Sequence, residues 1–323
     1  MGTSDRPLVT AVVPTYDRPA LLADAVRSVV DQTYDAIELI VVDDGSDADP
    51  TAALAEVPLD GLVDHRVFQH DGNRGANAAR NTGVEAASGE YVAFLDDDDY
   101  WKPEKIKRQV AALEEASEDC AIAFTGQERV DGDGAVTGIT RPVTDGDFLA
   151  TLARGASFGT FSTVLVRRSV FDEFGSLDER FPCWQDRDWY LSIAPHVDWT
   201  AVPEPLTVRQ FTRRRQISDG FRQKRDVAYP LLVEKHRPAV AELGRSYERR
   251  FLATLCRGLA VSAADNDYHR AALGYLLRAI RLRPSSLGTY GYLLALLGGK
   301  YTWIPAQVSR RAIARTLRGP EPQ

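Results

Sequence analysis

Cysteine is scarce in this chain: Cys120, Cys183 and Cys256 are the only three in 323 residues. They stand far apart, lack metal-ligand spacing and cannot all pair with one another, so a disulfide scaffold is excluded. The five histidines form no cluster with them, which speaks against zinc; reduced, partly buried thiols are expected. Long apolar runs are missing too. The longest, LGTYGYLLALLGG (287–299), falls short of the about 20 residues that span a bilayer. No basic stretch followed by an apolar one opens the sequence, and a cytoplasmic protein is the expectation. The first apolar run is not followed by Gly-x-Gly-x-x-Gly, which removes the dinucleotide-binding fingerprint.

Positive charge is in short supply overall, at a net −7, but the deficit is uneven. The first 239 residues carry −15 and the remainder +8, an acidic body with a basic tail. An acidic body gives no footprint for nucleic acid, so no such partner is expected.

What the chain does have is order. LVTAVVP (8–14) reads as a buried strand and ALLADAVRSVVDQT (20–33) as a helix; IELIVVDDGS (37–46) is a second strand closed by a polar turn. A helix-compatible PTAALAEV, a weaker strand VDHRVFQH (63–70), the small-residue helix GANAARNTGVEAAS (75–88) and the strand YVAFL follow. Such alternation argues for a parallel sheet with helices on both faces, where ligands sit at the carboxyl ends of the strands. Three polar clusters fall at those ends: PTYDR (14–18), DDGS (43–46) and DDDD (96–99). Further along, a helix begins near Pro103, AIAFTGQERV is strand-like, a helix starts near Asp186 or Asp188, and VRQFTRRRQIS (208–218) reads as a basic loop. From about residue 222 only helices are expected.

Four adjacent carboxylates, Asp96 to Asp99, repel by roughly 1 kcal/mol per pair in water and by more in a drier cleft. Two carboxylates at i and i+2 after a strand can hold a hard divalent cation, magnesium or manganese, while leaving positions for phosphate oxygens.

Taken in order, VVPTYDR, ELIVVDDGS, NRGANAARNTG, GEYVAFLDDDDYWKPEKI and QDRDWYLSIA resemble the family 2 glycosyltransferases over roughly residues 7–218. The resemblance implies an α/β GT-A domain, Rossmann-like, with a mixed, mainly parallel sheet over residues 1–220, followed by a helical region over 221–323. It implies inverting transfer of a sugar from a nucleoside diphosphate sugar, assisted by Mn2+ or Mg2+. Pro14, Thr15 and Tyr16, with Arg18 behind them, match the loop that packs on base and ribose. Asp43 and Asp44 match the base-reading position, and Arg80 and Asn81 the segment that flanks the nucleotide. Asp96 and Asp98 match the metal-associated pair and Asp97 the donor side; the roles of Asp97 and Asp99 stay open because every letter is the same.

The resemblance also implies a base that takes the acceptor proton from the face opposite the leaving diphosphate. Asp186 matches it, with Asp188 as competitor and Gln185 standing where the family carries an acid. Arg209 matches a leaving-group contact, with Phe211 where the family often carries a histidine; whether Arg213, Arg214 or Arg215 adds charge to the leaving group or faces solvent stays open. No Gln-x-x-Arg-Trp is present, which disfavours a processive polymer synthase. The tail, with Lys300, Arg310, Arg311, Arg315 and Arg318 beside Trp303, suits an anionic membrane surface, where a lipid-linked or other glycan acceptor would be met. The other classes to weigh are a metal-dependent phosphohydrolase and a degenerate nucleotide-binding module.

Overall fold

The computed structural model describes residues 6–210 and 220–299. Arg213, Arg214, Arg215 and the basic tail from Lys300 onward lie outside the described residues. The chain divides into two compact units: residues 1–145, 157–180 and 192–211 form the first, and residues 146–156, 181–191 and 212–323 the second.

The first unit is built on a nine-stranded mixed sheet. Its opening half is the expected alternation: β1 (Val9–Thr15), α1 (Pro19–Val30), β2 (Ile37–Asp43), α2 (Pro50–Leu54), β3 (Asp64–Gln69), α3 (Ala76–Ala86) and β4 (Tyr91–Phe94). Every residue of β1, β2 and β4 is buried, which is why these strands are mostly apolar rather than alternating; Glu38, the buried charge in β2, is held by Thr10, Arg66, Ser88 and the Gly89 amide. Alternate side chains nevertheless serve different faces. Leu39 and Val41 join Leu22, Val26 and Val29 of α1 in one core, whereas Ile40 and Val42 pack with Ala79 of α3 on the other. Glycine at 83 lets α3 lie close on β1, since a Cβ there would overlap Val12.

The later elements are β5 (Asp99–Trp101), α4 (Lys105–Glu115), β6 (Cys120–Val130), β7 (Val136–Thr140), β8 (Val164–Arg167), α6 (Ser169–Phe174) and β9 (Asp198–Gln210), with α5 (Phe148–Ala153) falling in the second unit. The sheet order is β3-β2-β1-β4-β8-β6-β9-β5, with β7 on β6. The pairings set β1, β2, β3, β4, β6 and β9 in one direction and β5, β7 and β8 in the other. In register, Thr15 sits beside Asp43 and Asp43 beside Gln69, so three strands end level and their loops share one edge.

Two local readings are corrected. Val208 to Gln210 is not loop but the end of β9, because Arg209 pairs with Asp99 across the short strand β5. The first strand, read as ending at Pro14, runs on through Thr15, so the first polar loop starts at Tyr16. In both cases strand pairing overrode the local signal, Arg209 with Asp99 and Thr15 with Asp43.

The second unit holds most of α7 (Gln185–Ile193) and a run of helices: α8 (Phe221–Gln223), passing through a π-turn into α9 (Tyr229–Glu242), then α10 (Arg245–Asp265), α11 (His269–Leu282) and α12 (Leu287–Leu297). Its core is Phe221, Leu259, Ala263, Ala272 and Leu276, with Trp184 packed against it.

Candidate functional site

The site of the first unit begins with two turns that hold each other. Asp43 accepts hydrogen bonds from the Ser46 amide and hydroxyl and from Gln69 Nε2, closing the turn after β2. Gly45 completes that turn at φ +84°, and a Cβ there would collide with the Gly72 backbone. Asp44 reaches across to residues 70–75: its Oδ1 takes His70 Nδ1 at 2.9 Å and the Arg74 amide at 2.9 Å, and its Oδ2 takes the Gly75 amide at 2.7 Å. His70 Nε2 is held by Thr82 Oγ1 at 3.0 Å. A carboxylate offers about four acceptor positions, so three bonds leave Asp44 room for one more N–H. Beside it lies an open pocket of about 570 Å³ lined by Gln69, His70, Asp71, Gly72, Asn73 and Arg74.

The aspartate run follows β4 and is answered by three arginines. Arg80, brought in by α3, donates to Asp96 Oδ1 at 2.5 Å and lies 4.4 Å from the centre of the Phe161 ring. Arg18 Nη1 donates to Asp97 Oδ1 at 3.0 Å and to Asp98 Oδ2 at 3.4 Å, while the Thr15 hydroxyl donates to Asp97 Oδ2 at 2.8 Å. Arg209 lends its field to Asp98 and Asp99. The Asp96 amide donates to Ser162 Oγ, and Trp101 Nε1 to the Ser162 carbonyl, which fixes the loop from below.

Those arginines do not cancel the cost of burial. Burial pushes Asp97 up to about 6 even with Arg18 and Thr15 opposing it. Burial and Asp96 raise Asp98. Asp99, fully buried, is raised well above the usual carboxylate range by burial and by Asp96 and Asp98, with Arg209 and the Ser162 hydroxyl opposing. Both Asp99 oxygens lack a hydrogen-bond partner of ordinary geometry among the described residues.

One carboxylate oxygen each from Asp96, Asp98 and Asp99 fall within 4.8 Å of one another. Three hard oxygen donors, one of them buried and orphaned, fit a divalent cation. Asp97, held by Thr15 and Arg18, is not part of that trio. Asp99, like Asp97, is a residue whose role the sequence leaves open; its signal is an aspartate run that continues into a strand, but the end of its partner strand β9, residues 208–210, reads as loop.

Of the other expected residues, Pro14 is buried in β1 and Tyr16 is 44% exposed. Asn81 turns away from the aspartates: its side-chain amide donates to the Leu177 carbonyl and to Glu179, and its oxygen accepts the Leu177 amide, so it fixes the loop after α6.

In the second unit, α7 starts after Trp184, a non-glycine residue at φ +59°, a conformation that costs about 1–3 kcal/mol and persists where surroundings enforce it. Asp186 is half-buried and its Oδ1 accepts the Arg187 amide at 2.7 Å. The Arg187 guanidinium lies 5.5 Å from the centre of the Trp184 ring. Asp188 is 1% exposed; His236 Nε2 and Lys235 Nζ of α9 hold its two oxygens at 2.7 and 3.0 Å. That clamp accounts for Asp188 as a tie between α7 and α9.

The sequence model for glycosyl transferase family 2 matches residues 10–175. TuaG of Bacillus subtilis (strain 168), a glycosyltransferase given a provisional place in teichuronic acid biosynthesis, is 39% identical over 132 residues, 41% of this chain and 51% of that one. An uncharacterized glycosyltransferase of Rickettsia bellii is 34% identical over 194 residues, 58% of this chain and 27% of its own. The chain thus spans about half or less of the length of these relatives. Among solved structures, TarS 1–349 of S. aureus in complex with UDP-GlcNAc matches with a TM-score of 0.55 at 16% identity, over 85% of this chain and 91% of that one. The UDP complex of the same protein gives 0.56 at 18% identity, over 86% and 81%. Matches at such identity establish a common fold.

Proposed function

The chain belongs to glycosyl transferase family 2, and from that premise we propose that it moves a sugar, with inversion, from a nucleoside diphosphate sugar to an acceptor hydroxyl in cell-surface glycan assembly. The observation that carries the donor reading is the buried, orphaned Asp99 carboxylate converging with Asp96 and Asp98 at the carboxyl edge of the sheet. Family membership leaves the phosphohydrolase reading without support. The acceptor class follows one relative: teichuronic acid biosynthesis is the provisional role given to TuaG.

In this reading the exposed Tyr16 ring and the pocket of residues 69–74 receive the nucleoside, with Pro14 and Thr15 backing the loop. The remaining acceptor position on Asp44 suits a base that presents an imino N–H, as uracil, thymine and guanine do. Asp43 holds the turn that aims Asp44. Asp96, Asp98 and Asp99 would hold Mn2+ or Mg2+, whose chemistry there is to offset charge on the diphosphate. Arg18, Arg80 and Arg209 keep the aspartates in place and supply positive charge beside the leaving group. Arg213 and Arg214 are proposed to add to it from outside the described residues.

Asp186 is the proposed base. As the acceptor oxygen attacks the anomeric carbon and the bond to the diphosphate oxygen breaks, Asp186 takes the acceptor proton. Its support is the resemblance of the motif together with the left-handed Trp184, which sets the start of α7. Asp188, held by His236 and Lys235, keeps that helix in place. A lipid-linked acceptor at a membrane surface is the preferred class.

The test is calorimetric titration of UDP, GDP and TDP and their sugars in manganese, magnesium or EDTA. Micromolar binding of one diphosphate that is lost in EDTA is expected. Absence of binding to all of them by folded protein, at low and high salt, would overturn the donor reading.

A further inference from the structure

α12 is a helix without a single charged side chain, LGTYGYLLALL. One side of it is spent on the core of the second unit, where Leu296 is buried and Tyr292, Leu293 and Ala295 pack. The other side is exposed among the described residues. Leu287, Leu294 and Leu297 are 83, 69 and 66% exposed, and Tyr290 lies on the same stripe at 38%. Positions 287, 290, 294 and 297 recur at helical spacing, and a helix face in water ordinarily carries polar residues there.

The neighbouring helix α11, against which α12 packs, continues the pattern with charge. Arg270, Gly274, Leu277 and Arg281 are exposed at a spacing of three and four, so a 53% exposed leucine stands between two arginines, with exposed Arg278 beside it. Across residues 268–320 the sequence has nine Lys or Arg and no Asp or Glu.

We propose that the exposed face of α11 and α12 docks on an anionic lipid surface, with the leucines and Tyr290 entering the headgroup boundary and the arginines meeting lipid phosphates. At 11 residues α12 is far too short to cross a bilayer, and no helix among the described residues is long and apolar enough to do so; it lies on the membrane. Charge decides against other occupants. A second copy would bring arginines against arginines, and residues 300–320 would add five cations and no carboxylate to a basic face. The inference deepens the lipid-linked acceptor reading and rests on it for its purpose, but vesicle binding is read without donor or acceptor, so either can fail alone.

The experiment is co-sedimentation of the full chain with phosphatidylglycerol-containing vesicles and with pure phosphatidylcholine vesicles. Recovery with the anionic vesicles is expected, weakening at high salt. The Leu294→Asp/Leu297→Asp pair should lower the partition at least tenfold, and so should Arg270→Glu/Arg281→Glu, which alters only surface charge and keeps the question open if the leucine variant does not fold. Circular dichroism and an unchanged nucleotide titration check that each variant is intact. Wild type staying in the supernatant would overturn the proposal, as would variants that sediment like wild type. A lipid-free dimer dissolved by the leucine changes would give the face to a second copy instead. Binding lost only on deleting residues 300–323 would move it to the tail.

Discussion

Arg18 Nη1 stands 3.0 Å from Asp97 Oδ1 and 3.4 Å from Asp98 Oδ2, so a single guanidinium from the end of the first loop answers the middle two of four consecutive carboxylates. It is one of three resident cations of the aspartate run, beside Arg80 and Arg209. Arg18→Ala leaves Asp97 buried beside Asp98 without its main counter-charge. The metal-free protein should lose about 2 kcal/mol of stability, measured by urea unfolding in EDTA. Nucleotide-free manganese should bind several-fold more tightly, measured by calorimetry, because the carboxylates lose a competing positive charge. Unchanged metal affinity would mean that Arg18 plays no part in neutralising the cluster.

The raised carboxyls make a prediction with a definite sign. Asp97 titrates at about 6 in the folded protein, above its value in an unfolded chain, so the fold holds this proton to higher pH than the coil does. Its contribution is therefore present below about pH 4 and lost as the pH rises through 6; Asp99, raised by burial and by Asp96 and Asp98, acts in the same direction. Asp99→Asn should raise the Tm at pH 7.5 in EDTA and lose that advantage near pH 4, while weakening metal binding. A variant that melts below wild type at pH 7.5 would show that the Asp99 charge is compensated.

Asp186 and Asp188 lie two residues apart and should fail differently. Asp186→Asn should keep nucleotide affinity within two- to threefold and cut transfer by about 10²–10⁴-fold. Asp188→Ala should instead cost about 3 kcal/mol in stability by stranding His236 and Lys235, with the pH profile of residual turnover unchanged. Normal turnover by Asp186→Asn would return the base role to another residue.

Gly45→Ala should injure nucleotide binding from a distance. The turn needs φ +84° and close approach of the Gly72 backbone, so a methyl group strains the turn by about 1–2 kcal/mol and pushes residues 70–75 off Asp44. A lower Tm and at least tenfold weaker nucleotide affinity are expected by thermal melting and calorimetry. Wild-type affinity would show that the loop tolerates the displacement.

Much of the first unit was legible in the letters. β1, β2 and β4 lie in the sheet interior with both faces covered, so they had to be mostly apolar, with buried Glu38 and Thr10 hydrogen-bonded to each other, and the polar residues after them had to share an edge. The aspartate run was visible for the same reason. What the letters hid was pairing at long range. β5 exists because Asp99 to Trp101 meets β9 over a hundred residues later, and without that strand Asp99 could not be told from Asp97. The tie from Asp188 to His236 spans 48 positions with no periodicity to announce it. Short helices such as α5 and α6, at six residues each, fall below the length at which spacing speaks.

The path of the chain between the two units limits how the protein can be rearranged. The backbone passes from one to the other after residues 145, 156, 180, 191 and 211, so neither is a single continuous piece of sequence. A chimera that exchanged only the residues after 220 with a relative would leave Trp184 and Asp188 behind while replacing Lys235, His236 and the helices on which they rest. The natural unit of exchange is three segments taken together, and homologous recombination, which swaps contiguous stretches, would rarely transfer it intact.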